Sequence, residues 1–492
     1  MNLSLVLELA CSGHPDRVAV TCAGRHLTFA DLDREARAVA ARLSETGMPA
    51  VLYAGPSSPS LPVALFAAAR AGVPFVPLNY RLSPDQLGAL VVDHPQALLV
   101  HDGTVPATAT GATVHRDELA AWGGDPAAAP DAPADEDVVA VLLYTSGTTA
   151  APKAAVLRHR HLMAYLFGTI EFGAAAEDEA ALVSVPPYHV AGVANLVSNL
   201  YAGRRVVYLD SFEPRRWLDT VRDERVTQAM VVPTMLARVV AHLGAAASAD
   251  TPSLRSIAYG GARMPLPVLQ RALELFPDTG FVNAYGLTET SSTIAVLGPD
   301  EHREALSSAD PAARARLGSV GRLLPGVELE VRAEDGTVLP PGEPGLLFLR
   351  GEQVSGEYVG ASATDTEGWF ATRDRGWVDD AGYLFLEGRA DDTIIRGGEN
   401  IAPAEIEDVL VEHPAVAEVA VVGVPDEEWG QRIAAVVVLV DGASVDADEL
   451  RAWVRTRLRS SKTPDLVAFR PELPRTDTGK LLRRHLLAEL VS

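Results

Sequence analysis

Residues 145–153 read Thr-Ser-Gly-Thr-Thr-Ala-Ala-Pro-Lys and follow directly on an apolar run, Val138 to Tyr144. The hydroxyls of Thr145, Ser146, Thr148 and Thr149, the bare backbone of Gly147 and the ammonium of Lys153 could together wrap an oxygen anion. Hydroxyls and amide N–H groups donate, and the lysine adds a point charge. Phosphate is the expected ligand, although a Ser/Thr-rich turn without any ligand would use the same residues. The loop is not of the Walker type, because no Gly-Lys-Ser/Thr follows, and the chain has no G-x-G, so the usual dinucleotide fingerprint is missing. Lysine itself is informative: only three occur among 42 basic residues, and Lys153 and Lys480 fall in the two segments that look most like phosphate chemistry. A compact ammonium is kept there while arginine fills the other basic positions.

The elements that must carry these groups alternate. Strand-like runs at Val18–Thr21, Ala50–Tyr53 and Phe75–Leu78 are separated by amphipathic stretches at Phe29–Glu45 and Leu61–Ala71, a pattern of layered α/β structure. Short β runs with Gly/Pro turns between Gly318 and Leu386 predict a smaller β subdomain. Beyond Gly388-Arg389-Ala390-Asp391, strands Val416–Val422 and Ile433–Val440 with helices Ala404–Val411 and Asp446–Arg457 predict a small α+β domain. A length of 492 residues with 48% hydrophobic content fits more than one core.

A net charge of −23 gives no basic footprint for nucleic acid or an anionic membrane. The two cysteines, Cys11 and Cys22, show no metal spacing, and no His-x-x-x-His stands among the 12 histidines, so neither a zinc site nor a disulfide is expected. The apolar start carries Glu8 and no basic leader, and the uncharged stretch Ala180–Gly203 is broken by Pro186, Pro187 and His189. A soluble, cytoplasmic protein is expected, monomeric or homodimeric.

Five segments in order resemble the adenylate-forming superfamily, and among its branches the acyl-CoA synthetases. They are the loop from Leu143 to Val156; Asn283-Ala284-Tyr285-Gly286-Leu287-Thr288-Glu289-Thr290; Gly368 to Arg375 with Thr372-Arg373-Asp374; Gly388 to Asp392 with the loop around Gly397-Gly398-Glu399-Asn400; and Pro474 to Lys480. The resemblance spans nearly the whole chain. It implies an α/β fold with a large N-terminal domain of layered sheets plus a small β subdomain, residues 1–390, followed by a small mobile α+β domain, residues 391–492. It implies an ATP-, Mg²⁺- and CoA-dependent ligase that converts a small-molecule carboxylic acid first to an acyl adenylate and then to a thioester.

By the same resemblance, Thr145, Ser146, Gly147, Thr148, Thr149 and Lys153 hold phosphate, as does the catalytic Thr288, and Glu289 is catalytic and a Mg²⁺ ligand. Gly260, Gly261, Ala262, Asn283, Ala284, Tyr285 and Gly286 flank the nucleotide, with Tyr285 offering a face to adenine. Asp374 and Arg389 meet the ribose, Gly397 and Gly398 pass the pantetheine arm, Asp391 is the hinge, and Lys480 is the catalytic cation that the hinge swings in and out. His189 is expected beside the carboxylate. Val190, Ala191, Gly192, Thr234, Tyr259, Gly260, Asn283, Gly286 and Ala295 are expected around the acyl group, mostly small or apolar and therefore suited to a hydrophobic acid. No further domain follows Ser492, which fits a free-standing enzyme using soluble CoA. The chain departs from the family pattern at Ala150, Ala154 and Arg373, where glycine is usual. If either alanine backbone needs positive φ, phosphate handling is altered, and two alternatives stand beside the ligase: an enzyme confined to the thioester half-reaction, and a non-catalytic nucleotide-binding regulator.

Overall fold

The computed structural model of the chain describes residues 1–145, 153–397, 399–476 and 479–491. Within them a nine-stranded sheet runs in spatial order Arg322–Leu323, Ser292–Leu297, Gly280–Leu287, Ser256–Gly260, Gln228–Val231, Ala180–Val183, Arg205–Tyr208, Val18–Cys22, Arg25–Thr28. Its interior strands are parallel and its edge pairings antiparallel. An eight-stranded sheet is ordered Ala361–Ser362, Glu357–Tyr358, Lys153–Arg158, Val139–Thr145, Phe75–Pro77, Val51–Ala54, Leu98–His101, Thr113–His115.

The two large sheets share one apolar core. Helix Ser60–Ala71 is buried along its whole length up to Arg70, as expected of a helix with apolar residues on every side. It shares an apolar cluster with Val20 and Tyr208 of the first sheet and with Val51, Phe75 and Leu143 of the second. The one long charged side chain on it, Arg70, is held by Glu8. Helix Phe29–Thr46 starts at a reciprocal cap between Thr28 and Asp31 and stops at Gly47, whose φ of 62° few other residues tolerate.

The β-rich region anticipated from Gly318 onward is a four-stranded sheet, Glu328–Arg332, Gly345–Arg350, Phe370–Val378 and Leu384–Arg389. After the short turn Ala390–Asp392 come the pair Ile394–Arg396 and Glu399–Ile401, then the three strands Val416–Asp426, Gly430–Leu439 and Leu466–Phe469, with helices Pro403–Val411, Ala447–Arg455 and Arg483–Val491. The parallel strand Leu466–Phe469 and the helix formed by the basic tail have too weak a periodicity to be read from sequence. Among the described residues no helix is long and apolar enough to cross a membrane.

Candidate active site

The suspected phosphate loop joins two paired strands. Thr145 stands opposite Lys153 in the antiparallel ladder, and the Thr145 hydroxyl donates to the Lys153 carbonyl at 3.3 Å. Ser146, Gly147, Thr148, Thr149 and Ala150 lie outside the described residues. Ala154 is in strand conformation opposite Tyr144 and is not among the residues with positive φ, so alanine is tolerated there without strain.

Strand Glu357–Tyr358 adds to the edge of this ladder, with Tyr358 opposite Ala155. The register brings the Tyr358 ring beneath the Lys153 ammonium, 5.8 Å from the ring centroid, and its hydroxyl to Glu289 Oε1 at 2.5 Å. One tyrosine therefore bridges the cation and the carboxylate expected at the nucleotide phosphates. Sequence reasoning passed it over, and no local signal marks it, because its partners lie 205 and 69 residues away.

Thr288 and Glu289 sit in the turn after strand Gly280–Leu287. The turn is pinned from both sides: the Glu289 carbonyl accepts from the N–H groups of Ser355 and Gly356, and buried Gln353 donates to the carbonyls of Thr290 and Thr293. One Glu289 oxygen is engaged by Tyr358, and the carboxylate remains partly accessible. That suits Mg²⁺, which takes one or two protein carboxylates and completes its shell with phosphate and water.

Asp374 and Arg389 face each other across neighbouring strands, with Arg389 Nε 3.1 Å from Asp374 Oδ1. Tyr285 donates its hydroxyl to the other carboxylate oxygen at 2.5 Å, and Asp374 N–H donates to the Thr372 hydroxyl. Burial raises the Asp374 carboxyl above its ordinary value, while Arg389 and the Tyr285 hydroxyl work in the opposite direction. The residue next to it, Arg373, has φ 62°, so the third departure from glycine does place a side chain in the left-handed region. Its guanidinium reaches to 3.9 Å from Asp391, in the turn Ala390–Asp392.

Lys480 belongs to the same cleft. The residue is exposed, yet partial desolvation at this spot lowers its pKa below the ordinary 10.5, and the charges of Arg389, Asp374, Asp392 and Glu289 all act on it. Its neighbour Gly479, at φ 79°, is pressed on the start of helix Pro233–Leu243: a Cβ there would lie 2.2 Å from Thr234 Oγ1. Thr234 is thus at the contact between the C-terminal segment and the large sheet domain. Arg263 and Asp408 form a further ion pair between these regions.

His189 occupies the N-cap position of helix Val190–Tyr201 without a side-chain capping bond and packs against Tyr188, with ring centroids 4.6 Å apart. Along the helix only Val190, Ala191 and Asn195 are less than fully buried, and Gly192 has no room for a side chain, since a Cβ would meet the Pro186 carbonyl at 2.5 Å. Across from them Met230, Ala258 and Val282 occupy one register row of adjacent central strands and are also incompletely covered. Helix and sheet row meet where the Asn195 amide reaches Met230 Sδ at 3.5 Å.

Two expected wall residues face elsewhere. Tyr259 is one position out of phase with Ala258, so strand alternation sends it to the opposite face, into the core with Val231 and Ile257, where it bonds His302 at 2.8 Å. Ala295 is fully buried against Val320 and against Leu347 and Leu384 of the small sheet. Gly286 also has another reason than ligand approach: a Cβ would lie 1.7 Å from the Ser292 carbonyl of the hairpin partner. Asn283 donates to the Ser319 carbonyl, and Ala284 pairs with Gly260, whose own Cβ would meet the Ala284 carbonyl at 2.2 Å. Gly261 has φ 81° and Ala262 is exposed. Gly397, at φ 57°, packs beneath exposed Trp429; Gly398 lies outside the described residues.

A layered α/β body, a cleft holding Tyr358–Glu289 and Asp374–Arg389, and a C-terminal segment that delivers Lys480 to it define an adenylate-forming enzyme. The AMP-binding enzyme model matches residues 7–359 and the AMP-binding enzyme C-terminal domain model matches residues 405–480, and the chain belongs to this family. Feruloyl-CoA synthase of Amycolatopsis sp. is 38% identical over 485 residues, 95% of each chain, and 2-succinylbenzoate–CoA ligase of Bacillus licheniformis is 33% identical, covering 96% of this chain and 97% of that one. The o-succinylbenzoate CoA synthetase structure from Bacillus subtilis, in complex with its acyl-adenylate intermediate, superposes with TM-score 0.85 at 29% identity, covering 98% of this chain and 97% of that one. The chain is an ATP-dependent acid–CoA ligase: it activates a carboxylic acid as the acyl adenylate, with Mg²⁺, and passes the acyl group to CoA.

Proposed function

We propose that this ligase activates aromatic carboxylic acids, with the acyl group lying between helix Val190–Tyr201 and the sheet row Met230, Ala258 and Val282. The partial exposure of that row supports the reading, because a flat apolar cleft between a helix and a sheet suits a planar ring. The names of the relatives, feruloyl-CoA synthase and 2-succinylbenzoate–CoA ligase, point the same way.

In adenylation the acid's carboxylate attacks the α-phosphorus of ATP, so two anions meet and charge develops on the departing pyrophosphate. Lys153 lies over the phosphates, with Tyr358 setting its position and that of Glu289. Glu289 would hold the Mg²⁺, whose chemistry is to neutralise charge on the phosphate oxygens. Thr288 donates to the α-phosphate, Asp374 accepts from the ribose hydroxyls, and Arg389 donates to the sugar. Lys480 bridges carboxylate and phosphate from the C-terminal domain, residues 391–492. Rotation about Asp391 then removes Lys480 and brings the loop at Gly397 to the site, so that the CoA thiol can reach the acyl carbon and expel AMP. The contact of Gly479 with Thr234, with Lys480 in the cleft, supports taking this arrangement as the adenylating one.

The test is pyrophosphate release from ATP with benzoic, cinnamic and straight-chain fatty acids without CoA, and AMP release when CoA is added. Aromatic acids should lead, and acyl-CoA should form only when CoA is present. Preference for the fatty acids would refute the aromatic reading. Thioester formed from supplied acyl adenylate, with no AMP from any acid, would confine the chain to the second half-reaction.

A further inference from the structure

Helix Val190–Tyr201 is apolar but for a few positions, and two of its polar side chains are wired to the surface. Glu179 forms an ion pair with Arg204 at 2.8 Å, Arg204 Nη1 donates to Asn199 Oδ1 at 2.8 Å, and Asn199 Nδ2 donates to the carbonyl and to Oδ1 of Asn195 at 2.7 and 2.9 Å. Asn199 is buried, so this relay replaces the hydration it has lost. Its effect at the inner end is orientation. With Asn195 Oδ1 held as an acceptor, the Asn195 amide has one orientation that satisfies the network, and Nδ2 is directed across the cleft.

What Nδ2 meets there is the thioether of Met230, 3.5 Å away. Sulfur in a thioether is a weak acceptor, and Asn195 is only partly buried, so an oriented donor faces the proposed acyl cleft without a strong partner. Asn195 lies six residues beyond His189 along the helix, a displacement of about 9 Å at the usual rise per residue. That is close to the span from the carboxylate oxygens of a phenylpropenoic acid to an oxygen carried on its para carbon.

We infer that Asn195 is a specificity-determining residue, whose Nδ2 donates a hydrogen bond to an oxygen substituent (hydroxyl or alkoxy) at the far end of the aromatic acyl group. The oxygen displaces the Met230 sulfur as acceptor, and no group changes protonation. A ring without that oxygen leaves the amide on the thioether, which limits the penalty to the difference between a good and a poor acceptor. This inference rests on the aromatic reading above.

The experiment compares kcat/KM for AMP release in the presence of CoA with 4-methoxycinnamic and 4-hydroxycinnamic acids against 4-methylcinnamic acid, which matches the hydroxyl's volume without its oxygen. The expected preference for the oxygenated acids is about tenfold, as for one hydrogen bond gained. In Asn195→Leu the ratio should fall to within about twofold, whereas Met230→Leu, which removes the competing sulfur, should retain or widen it. A thermal melt of each variant reports folding, and Asn195→Ala substitutes if the leucine is not accommodated. AMP release with equal kcat/KM for all three acids, or a preference that survives both Asn195 variants, overturns the inference and leaves the aromatic reading standing. No AMP from any of these acids alongside turnover of fatty acids overturns both.

Discussion

Replacing Gly479 with alanine places a methyl carbon 2.2 Å from Thr234 Oγ1, 2.6 Å from its Cγ2 and 2.9 Å from its Cβ, at a backbone φ of 79°. Two costs result. Left-handed backbone in alanine costs about 1 kcal/mol, and the loop bears it in whichever orientation the C-terminal domain adopts. Overpacking against Thr234 costs about 1–3 kcal/mol and arises only when Lys480 is docked in the cleft. The differential effect is therefore the steric part: adenylation should fall about 5- to 150-fold relative to thioester formation. Pyrophosphate release from ATP and acid measures the first step, and acyl-CoA formed from synthetic acyl adenylate measures the second. In the Gly479→Ala background, Thr234→Gly should restore the ratio, and Thr234→Ala should restore less, since a Cβ remains at 2.9 Å. Equal loss in both half-reactions, or no recovery on trimming Thr234, would refute the argument that this contact belongs to adenylation.

Further outcomes are expected. Tyr358→Phe keeps the ring under Lys153 but removes the hydrogen bond to Glu289, so the Mg²⁺ concentration for half-maximal adenylation should rise about tenfold, in keeping with one hydrogen bond to a charged acceptor; an unchanged Mg²⁺ titration counts against the bridge. Burial shifts the Lys480 pKa downward, so the charged form is held at low pH and lost on the alkaline side before the ordinary 10.5 is reached. Adenylation should decline there while thioester formation from acyl adenylate does not follow, and Lys480→Arg should move that limb to higher pH. Lys480→Ala should abolish pyrophosphate release from ATP and acid while sparing thioester formation from supplied acyl adenylate. Arg373→Gly relieves the left-handed arginine and gives up only an exposed ion pair to Asp391 at 3.9 Å, so denaturant unfolding should show a gain of about 0.5–1 kcal/mol.

Local chemistry is legible where neighbours in sequence remain neighbours in space. The strand at Val139–Thr145 could be read from its own apolar run, whereas Thr288, Glu289 and Asp374 were reached through motifs that resemble a known family, and Asp374 lies in a strand, Phe370–Val378, where a loop was expected. The same reading placed Tyr259 in the acyl wall, where one position along a strand decides between cleft and core, and only the register with Val231 and Asn283 fixes the face. Ala295 fails for a related reason: its burial comes from the small sheet, whose strands begin more than thirty residues later in the chain.

The amino-acid sequence by itself pointed to the reaction type, because five ordered motifs resemble those of the adenylate-forming superfamily, and the rarity of lysine made Lys153 and Lys480 conspicuous. It also determined the layered α/β architecture, through apolar periodicity. Tertiary structure alone decided that Tyr358 joins Lys153 to Glu289, that Gly479 meets Thr234, and that a relay from Glu179 orients Asn195 toward Met230. Hydrogen bonds and steric contacts of this kind depend on distances of a few ångströms between elements far apart in the chain. Sheet order and register set those distances, and composition and spacing do not encode them.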